Sequence, residues 1–448
     1  MNQPTLQKFL RVIAWILGVL LFLVLAIFTR VDRRPLHEME YYHQTMAALD
    51  SASAIHSYGE AWLAGWSKVN MTPPEPVNLV GYKPRGPFTF VQDSSYVRAL
   101  SIGNGENTVT LLSYELMIIH PTLYEKITNA VKSKGLPIDM LYFTATHTHS
   151  GMGGYMPGLA GRLAFGGYDQ NVMELMEKKT IEAIERSLAQ KDTVQLSYSA
   201  IETSGLVANR LVEGDPVDPY LRKMILERNT GEKAVFLSFA AHSTIFHSKY
   251  MRLSGDYPNY LMMELESSGF DFAFFAAGAV GSHKPLAGGN TLENVQSFSG
   301  QLKEQMTQEI HVAEFEVKPK ISFYSFPLFL RKPHYRIGEN VRLRPYIFNA
   351  LFGNTNAHFD VLQLGDVLLI SSSGEVSGVF MKEWEEYANS YGLQVILTCF
   401  NGGYIGYITP DKYYDIGHYE VKDMNWFGPY NGAFFDEIMK VIIKKASE

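Results

Sequence analysis

The sequence predicts an α/β or α+β fold, with mixed β-sheets flanked by helices and preceded by one N-terminal transmembrane helix. An uncharged apolar run near the N-terminus predicts the transmembrane helix. From Pro73 onward, short apolar runs alternate with amphipathic stretches, which is typical of sheets covered by helices. The 448 residues are 46% hydrophobic and 19% charged, the composition of a folded chain with ample length for a large core.

The first predicted element is the transmembrane helix, an apolar run from Val12 to Thr29 without a charged residue. A run of this length can span a bilayer, whereas a signal peptide has about 7–15 apolar residues and a small-residue cleavage site. We therefore predict an uncleaved signal anchor over residues 1–34, with a cleaved signal peptide as the alternative. We expect a single-pass membrane protein with its large domain on the exported side, although basic residues lie on both sides of the run: Lys8, Arg11, Arg30, Arg33 and Arg34.

We predict one large domain over residues 35–448, because no low-complexity linker or internal repeat interrupts it. Its first part, 35 to about 70, has helical patterning. Short apolar runs bounded by polar residues predict strands at 96–102, 108–112, 138–144, 194–200, 234–241, 271–276, 320–326, 361–371 and 393–400. Apolar residues spaced three and four apart predict helices at 121–134, 170–190, 257–267, 292–309, 376–391 and 432–445.

Charge and cysteine content exclude some classes of protein. The formal net charge is -7, the pI is near 6.0 and the body has no Lys/Arg-rich stretch, so we expect no nucleic-acid partner. Cys399, the single cysteine, lies in an apolar run. We therefore predict a buried, inert thiol rather than a nucleophile, and no intrachain disulfide.

The most informative segment is Thr144-Ala145-Thr146-His147-Thr148-His149-Ser150-Gly151, which follows an apolar, strand-like run. Residues two apart on a strand share a face, so we expect His147 and His149 to project together from the strand end. Neutral imidazole is the commonest metal ligand. Taken alone, however, this pattern also fits two hydrogen-bonded core histidines.

Three other apolar runs end in polar residues of the same kind. His242 follows the run 234–241, Glu375 follows the run that ends at Ser371, and Tyr407 lies beyond the run 393–400. Ligand sites in α/β sheets collect where strands end and loops begin. Together with His147, these three side chains can therefore converge on one ion. The alternative for each is a polar cap on its strand.

Together, the motifs resemble those of the neutral/alkaline non-lysosomal ceramidases, specifically their N-terminal catalytic domain. The similarity runs in that family's order over roughly residues 70 to 425, through His147-Thr148-His149-Ser150-Gly151, Ala241-His242-Ser243-Thr244 with Ser254-Gly255-Asp256, Gly374-Glu375, and Tyr404-x-x-Tyr407-Ile408-Thr409 with His418-Tyr419-Glu420. The resemblance implies one Zn2+ per chain, held by His147, His242, Glu375 and Tyr407. A mixed set of nitrogen and oxygen ligands suits zinc.

The resemblance also implies catalytic residues around the metal. Asn209-Arg210 is similar to the family's N-R motif, and Tyr419 is similar to the tyrosine of its x-Y-E motif; both are expected to stabilise a developing oxyanion. His149 is expected to orient water or exchange protons with it. The alternatives are a surface salt bridge for Arg210 and a hydrogen bond to a ligand for His149.

The chain also departs from the family's pattern. Where the family has G-D-V-S-P-N with a serine at the active centre, this chain reads Ala277-Gly278-Ala279-Val280-Gly281-Ser282-His283. An ungapped match places Gly281 at the serine position, so Ser282 can replace that serine only through a loop shift. Met152 stands in place of a proline, and we expect no counterpart of the family's C-terminal β-sandwich domain.

The sequence therefore predicts a membrane-anchored, zinc-dependent amidase that cleaves the N-acyl amide of ceramide or a related lipid. Zinc would activate water for attack on the amide carbonyl. The expected partners are a lipid amide substrate and the bilayer, through the N-terminal helix. Two alternatives remain: a zinc hydrolase of a non-ceramide amide or ester, and a catalytically silent domain that binds zinc or lipid.

Overall fold

Two mixed β-sheets pack face to face, and helices cover their outer sides. The computed structural model describes residues 3–82, 85–203, 205–307, 311–353 and 355–448. Its helices are α1 Gln3–Ile27, α2 Glu40–Ser51, α3 Pro121–Lys134, α4 Gly158–Ala164, α5 Gln170–Ala189, α6 Asp256–Glu266, α7 Leu292–Thr307, α8 Pro345–Phe352, α9 Met381–Asn389, α10 Tyr419–Lys422 and α11 Asn431–Ser447. Short 3-10 turns lie at Leu36–Glu38, Gly378–Phe380 and Asp411–Tyr413.

The strands alternate with these helices along the chain. They are β1 Phe28–Arg30, β2 Ile55–Tyr58, β3 Trp62–Asn70, β4 Phe90–Val91, β5 Tyr96–Gly103, β6 Thr108–Tyr114, β7 Met140–Ala145, β8 Asp192–Glu202, β9 Val207–Asn209, β10 Tyr220–Arg228, β11 Lys233–Phe239, β12 Arg252–Leu253, β13 Phe272–Ala277, β14 His283–Pro285, β15 His311–Glu316, β16 Lys320–Pro327, β17 Val341–Leu343, β18 His358–Leu364, β19 Val367–Ser372, β20 Glu375–Val376, β21 Gln394–Cys399 and β22 Tyr407–Ile408.

The larger sheet has nine strands, in the order β13-β11-β10-β8-β3-β5-β6-β7 with β15 paired to β8. The smaller sheet has five, in the order β2-β16-β18-β19-β21. Most neighbours are antiparallel, but β6 and β7, β11 and β13, and β19 and β21 are parallel pairs. Both sheets are therefore mixed, which confirms the predicted fold class.

The core lies in layers on either side of each sheet. Between the sheets, Leu100 and Leu111 of the larger sheet join a buried cluster with Leu362 and Leu369 of the smaller one. On the outer side of the larger sheet, α5 packs against β3 and β5, and α6 packs against β13. On the smaller sheet, α2 packs against β16 and α9 against β21. Burial on both faces explains why the central strands are almost continuously apolar.

Most predicted elements are present, and three predictions are wrong. The helical patterning over 35–70 holds only for α2, since 55–58 and 62–70 form β2 and β3. The run 361–371 is a hairpin of two strands, β18 and β19, that turns at Gly365, whose φ is 56°. The helix over 376–391 starts only at Met381. The last residues predicted for the helix 292–309 lie outside the described residues.

Cys399 has the inert environment that the sequence predicts. The residue is fully buried and its thiol is free of any disulfide. Its Sγ lies 3.2 Å from the carbonyl of Gly278. Burial raises the pKa of the thiol to about 12, so it remains protonated and unreactive at neutral pH.

The N-terminal apolar helix passes directly into the rest of the fold. Among the described residues, one helix is long and apolar enough to cross a membrane: Gln7–Ile27 has a mean hydropathy of 2.8 and is unburied. A signal sequence would meet the same criterion. Strand β1 follows it at once and pairs antiparallel with β17, Phe28 opposite Leu343 and Arg30 opposite Val341. Residues 28–34 are thus joined to the body.

Candidate metal centre

The site lies where strands of the two sheets end. His147 follows β7, His242 follows β11, Glu375 begins β20 just after β19, and Tyr407 begins β22 after β21. These strands come together because β7, at the end of the larger sheet, contacts β13, β19 and β21. Their carboxyl ends therefore bring side chains from distant parts of the chain into one place.

His147 lies on a loop just past the end of β7, so it projects from the strand end as predicted, but not with the strand geometry that the sequence analysis used to pair it with His149. Strand β7 ends at Ala145, and His147 has a φ of 62°, a left-handed conformation that non-glycine residues adopt rarely and often at functional sites. Its Nδ1 lies 2.7 Å from the carbonyl of Met117, which fixes the proton there and leaves the Nε2 lone pair facing the site. Phe400 stacks on the ring at 4.3 Å.

His242 is oriented in the same way. Its Nδ1 donates to the carbonyl of His283 at 3.1 Å, and its Nε2 lies 3.1 Å from both Glu375 Oε2 and the Tyr407 hydroxyl. Burial, and then the cationic Arg210, lower the pKa of His242 to about 3. The ring is therefore neutral at physiological pH, as a metal ligand must be.

Glu375 and Tyr407 are paired neighbours on two short strands. Strands β20 and β22 are parallel, with Glu375 opposite Tyr407. Glu375 Oε2 lies 3.5 Å from Nε2 of His147, and Tyr404 donates a hydrogen bond to Oε1. Burial opposes ionisation of Glu375, but His147 and His242 outweigh it and hold the pKa well below its ordinary value. The carboxylate is thus ionised.

His149 adds a third imidazole to the same cluster. The structure brings it together with His147, since their Nε2 atoms are 3.2 Å apart and their rings meet edge to face. Its Nδ1 donates to the carbonyl of Gly81. Burial, and then the two neighbouring histidines, lower its pKa well below the ordinary value. The ligand nitrogens of His147, His149 and His242 lie within 4.8 Å of one another, and the group can hold a metal ion.

Arg210 reaches the cluster instead of forming the surface salt bridge considered as its alternative. Its Nη2 lies 3.0 Å from His242 Nε2 and 2.9 Å from the Tyr407 hydroxyl, and its Nε lies 2.7 Å from Glu420 Oε1. Burial works against the charge, but the surrounding phenol and carboxylates raise the pKa above its ordinary value. The side chain therefore keeps a positive charge beside the candidate ligands.

Tyr419 lies at the rim of the site. Its side chain is 51% exposed, and its ring meets that of Tyr407 edge to face at 6.0 Å. Burial of the hydroxyl and the charge of Glu375 raise its pKa above the ordinary value. Tyr419 therefore remains a protonated hydrogen-bond donor at the entrance.

Ser282 is buried next to the cluster, but its hydroxyl is hydrogen-bonded to a residue outside the cluster. Its Oγ lies 2.6 Å from Oγ of Ser377, and its carbonyl accepts from the Arg210 backbone at 2.8 Å. Gly281 packs directly under Glu375, because an added Cβ would lie 2.3 Å from the Glu375 carbonyl oxygen. No side chain fits at Gly281 in this backbone.

The sequence reasoning missed two contributors. Tyr404 and Glu420 both lie inside the motifs described above, yet neither was assigned a role. Tyr404 supports Glu375 and Glu420 supports Arg210. The carbonyls of Met117 and His283, which orient two histidines, carry no sequence signal, since every residue has a carbonyl.

The fold and the cluster of side chains together indicate a class of protein. Buried imidazoles with fixed proton positions, an ionised carboxylate, a phenol and a guanidinium at the strand ends of a mixed α/β fold form a cluster that can hold a metal ion, an arrangement typical of hydrolases. Residues 62–274 match the family model described as neutral/alkaline non-lysosomal ceramidase, N-terminal. No protein of curated function is significantly similar in sequence.

Solved structures share this fold. The crystal structure of neutral ceramidase from Pseudomonas aeruginosa superimposes with a TM-score of 0.71 at 17% identity, over 86% of this chain and 74% of that one. A ceramidase complexed with C2 gives a TM-score of 0.70 at 16% identity, over 86% and 75% of the two chains. The chain therefore resembles the neutral/alkaline non-lysosomal ceramidases in sequence over residues 62–274 and in fold over most of its length.

Proposed function

We propose that this chain is a membrane-anchored, zinc-dependent amidohydrolase that cleaves the N-acyl amide of ceramide or a related lipid, with residues 35–448 as its catalytic part. The observation that carries the proposal is the convergence of His147, His242, Glu375 and Tyr407 in one buried cluster. In both histidines Nδ1 is bound to a carbonyl, so that Nε2 faces the cluster.

The donor set favours zinc among the common metals. Two imidazole nitrogens with a carboxylate oxygen and a phenol oxygen form a mixed set that suits zinc, whereas magnesium and calcium prefer sets made wholly of oxygen. When bound, zinc would supply Lewis-acid polarisation and water activated at neutral pH. His147, His242, Glu375 and Tyr407 would hold it, and the third imidazole, His149, would stand beside it.

Arg210 and Tyr419 would stabilise the developing oxyanion. Nε2 of His242 cannot accept from Arg210 and bind a metal at once, so metal binding would free one Arg210 donor for the substrate carbonyl. Glu420 would keep the guanidinium in place through its ion pair with Nε. Tyr419, exposed at the rim, would donate its hydroxyl to the same oxygen.

His149 would move the proton to the leaving amine. Its Nδ1 proton is held by Gly81, so its Nε2 lone pair remains available to take a proton from water and then to give it up. Ser282 would have no part in bond making, because its Oγ is bonded to Ser377.

The bilayer anchor is part of the proposal. Helix α1 would span the membrane uncleaved, with the catalytic part on the exported side. The pairing of β1 with β17 supports an uncleaved anchor, because cleavage beyond the apolar run would cut into residues that are built into the body.

The test is hydrolysis by the full-length chain in detergent micelles. We expect release of fatty acid from a short fluorescent N-acyl sphingosine, loss of activity on chelation and recovery with Zn2+. A matched O-acyl lipid separates an amidase from an esterase. Full zinc occupancy without turnover of either substrate would contradict the proposal and support a silent zinc- or lipid-binding domain.

A further inference from the structure

Exposed apolar side chains surround the end of α1 on the body. We define the docking patch as Leu159 and Leu163 of α4, Tyr346 of α8, Val341 of β17, and Ile337 next to it. Single exposed apolar residues are ordinary, but a contiguous group marks an interaction surface. The five side chains are between 43% and 59% exposed.

The patch is continuous because its elements contact one another. Helices α4 and α8 pack together, and α8 follows β17 after one residue. The backbone N–H of Ile337 donates to the carbonyl of Val341 at 2.9 Å. Leu159 and Leu163 are four residues apart and therefore share one face of α4.

The patch is fixed at the level of the last turn of α1. The backbone N–H of Arg344 donates to the Ile27 carbonyl at 2.9 Å, and its Nε donates to the Leu25 carbonyl at 2.7 Å. The hydroxyl of Tyr346 donates to the Ala26 carbonyl. Three of the last carbonyls of the apolar helix are thus bonded to the segment that carries the patch.

We propose that the docking patch rests on the lipid bilayer and seats the body at the membrane surface. The proposal relies on α1 spanning the membrane, as in the proposed function. The patch is bonded to the last turn of an apolar, unburied helix. It must therefore lie at the membrane–water interface, where that helix leaves the bilayer. Tyrosine and arginine are typical of that interface, and Arg30 and Arg34 lie exposed just beyond the helix.

The docking patch is linked to the metal centre through a short row of rings. Helix α8 ends at Phe352, whose ring lies 4.8 Å from that of Trp426. Trp426 meets Tyr404 edge to face at 5.3 Å, and Tyr404 bonds Glu375. Docking would therefore place the candidate site close to the headgroup layer, where a lipid amide is presented.

Fluorescence quenching in vesicles tests the docking. Because Cys399 is fully buried, an environment-sensitive dye can be attached selectively at an introduced cysteine. Full-length Leu163→Cys is labelled, reconstituted into phosphatidylcholine vesicles, and quenched with lipids that carry a spin label on the acyl chain. The matched control is Ile55→Cys, which is similarly exposed at 52% but lies in β2, at the edge of the smaller sheet and outside the docking patch.

We expect the dye at Leu163 to be quenched at least twofold more than the dye at Ile55. A third label, Leu21→Cys in α1, reports insertion of the anchor itself. Quenching at Leu21 with equal signals at Leu163 and Ile55 would overturn the docking but not the anchor. Absence of quenching at Leu21 would overturn both.

Substitution by charge gives a second readout. The double variant Leu159→Glu/Leu163→Glu alters only exposed positions, so the fold and zinc content should be unchanged. We expect hydrolysis of a long-chain N-acyl lipid embedded in vesicles to fall about tenfold, with an unchanged rate on a short-chain substrate in solution. Equal rates for wild type and variant on both substrates would contradict the proposal, whereas equal loss on both would point to a structural defect and also count against it.

Discussion

Tyr404 donates a hydrogen bond to Oε1 of Glu375, while Oε2 of the same carboxylate lies 3.1 Å from Nε2 of His242. One oxygen of Glu375 is thereby held by Tyr404, and the other faces the histidine cluster. Partners of this kind orient ligands and tune their basicity.

The first prediction concerns this supporting bond. Tyr404→Phe removes the hydroxyl and keeps the ring against Trp426, so Glu375 loses its orientation without loss of packing. We expect zinc affinity to fall about 10–100-fold, measured by competition with a chelating dye. Tyr387→Phe, whose hydroxyl lies at the surface with Tyr391, is the control and should bind zinc like wild type.

The second prediction concerns the ligands. His242→Ala or His147→Ala should reduce the zinc content from about one ion per chain to nearly none, because each removes a nitrogen from the cluster. Metal analysis of the purified full-length chain measures this. His56→Ala, at an exposed histidine, should leave the content unchanged. Full zinc in both ligand variants would refute the assignment.

The third prediction separates oxyanion stabilisation from metal binding. Tyr419→Phe and Arg210→Lys should retain zinc and lose about 10²–10³ in kcat, the usual effect of removing a donor to an oxyanion. Lysine cannot reproduce the fork with which Arg210 reaches Tyr407 and Glu420. Steady-state kinetics with parallel metal analysis is the measurement. Unchanged kcat in both variants would remove these residues from the mechanism.

The fourth prediction concerns the position of the family's serine. Ser282→Ala breaks only the bond to Ser377 and should keep most of the activity, at a cost in stability of about 1 kcal/mol. Gly281→Ser should instead lose zinc, because its Cβ would press on the Glu375 backbone. An inactive Ser282→Ala with full zinc would show that Ser282 acts as a nucleophile.

The fifth prediction concerns pH-dependent stability. Glu115 is fully buried; its Oε2 accepts from the Tyr96 backbone, and its Oε1 has no hydrogen-bond partner. Burial raises its pKa to about 8, despite the nearby charge of Arg98. The folded state therefore holds a proton that the unfolded chain loses above about pH 4.5. This residue lowers stability as pH rises from about 4.5 to 8, by up to roughly 1.4 kcal/mol per pH unit.

Glu115→Gln should remove this dependence, because the amide oxygen can keep the bond to Tyr96 and no proton is lost. Relative to wild type, the variant should gain stability between pH 5 and pH 8.5, measured by urea unfolding. Glu106→Gln, at an exposed glutamate, is the control. A parallel pH dependence in wild type and Glu115→Gln would show that Glu115 is already ionised in the folded state.

The sequence predicted the elements that hydrophobic patterning determines. Helix 121–134 has the predicted bounds, and the buried strands leading to His147 and His242 are where the apolar runs indicated. The run 62–70 was misassigned because Trp62, Trp66 and Val69 are buried in a central strand, where alternation is weak. Strand β10 was missed because Arg222 and Lys223 are charged yet buried, and ion pairing of Arg222 with Asp218 is not visible in sequence.

The candidate site could be predicted only as a set of side chains. Strand ends and motifs pointed to His147, His242, Glu375 and Tyr407, and the structure places these side chains together. Sequence could not show that His147 is in a left-handed conformation, or that carbonyls of Met117 and His283 set the tautomers. These features depend on backbone positions that are set by tertiary contacts. They cannot be inferred from the types of the side chains.

The junction between α1 and β1 has a mechanical consequence. No residue separates the apolar helix from a strand that is hydrogen-bonded to the body. In the proposed arrangement, the helix and the body therefore tilt together as one rigid unit. The apolar span Gln7–Ile27 of this helix, about 32 Å long, can adjust to bilayers of different thickness by tilting. The thickness of the bilayer would then set the angle between the catalytic part and the membrane surface. The lipid composition of the host membrane would thereby change the rate of hydrolysis.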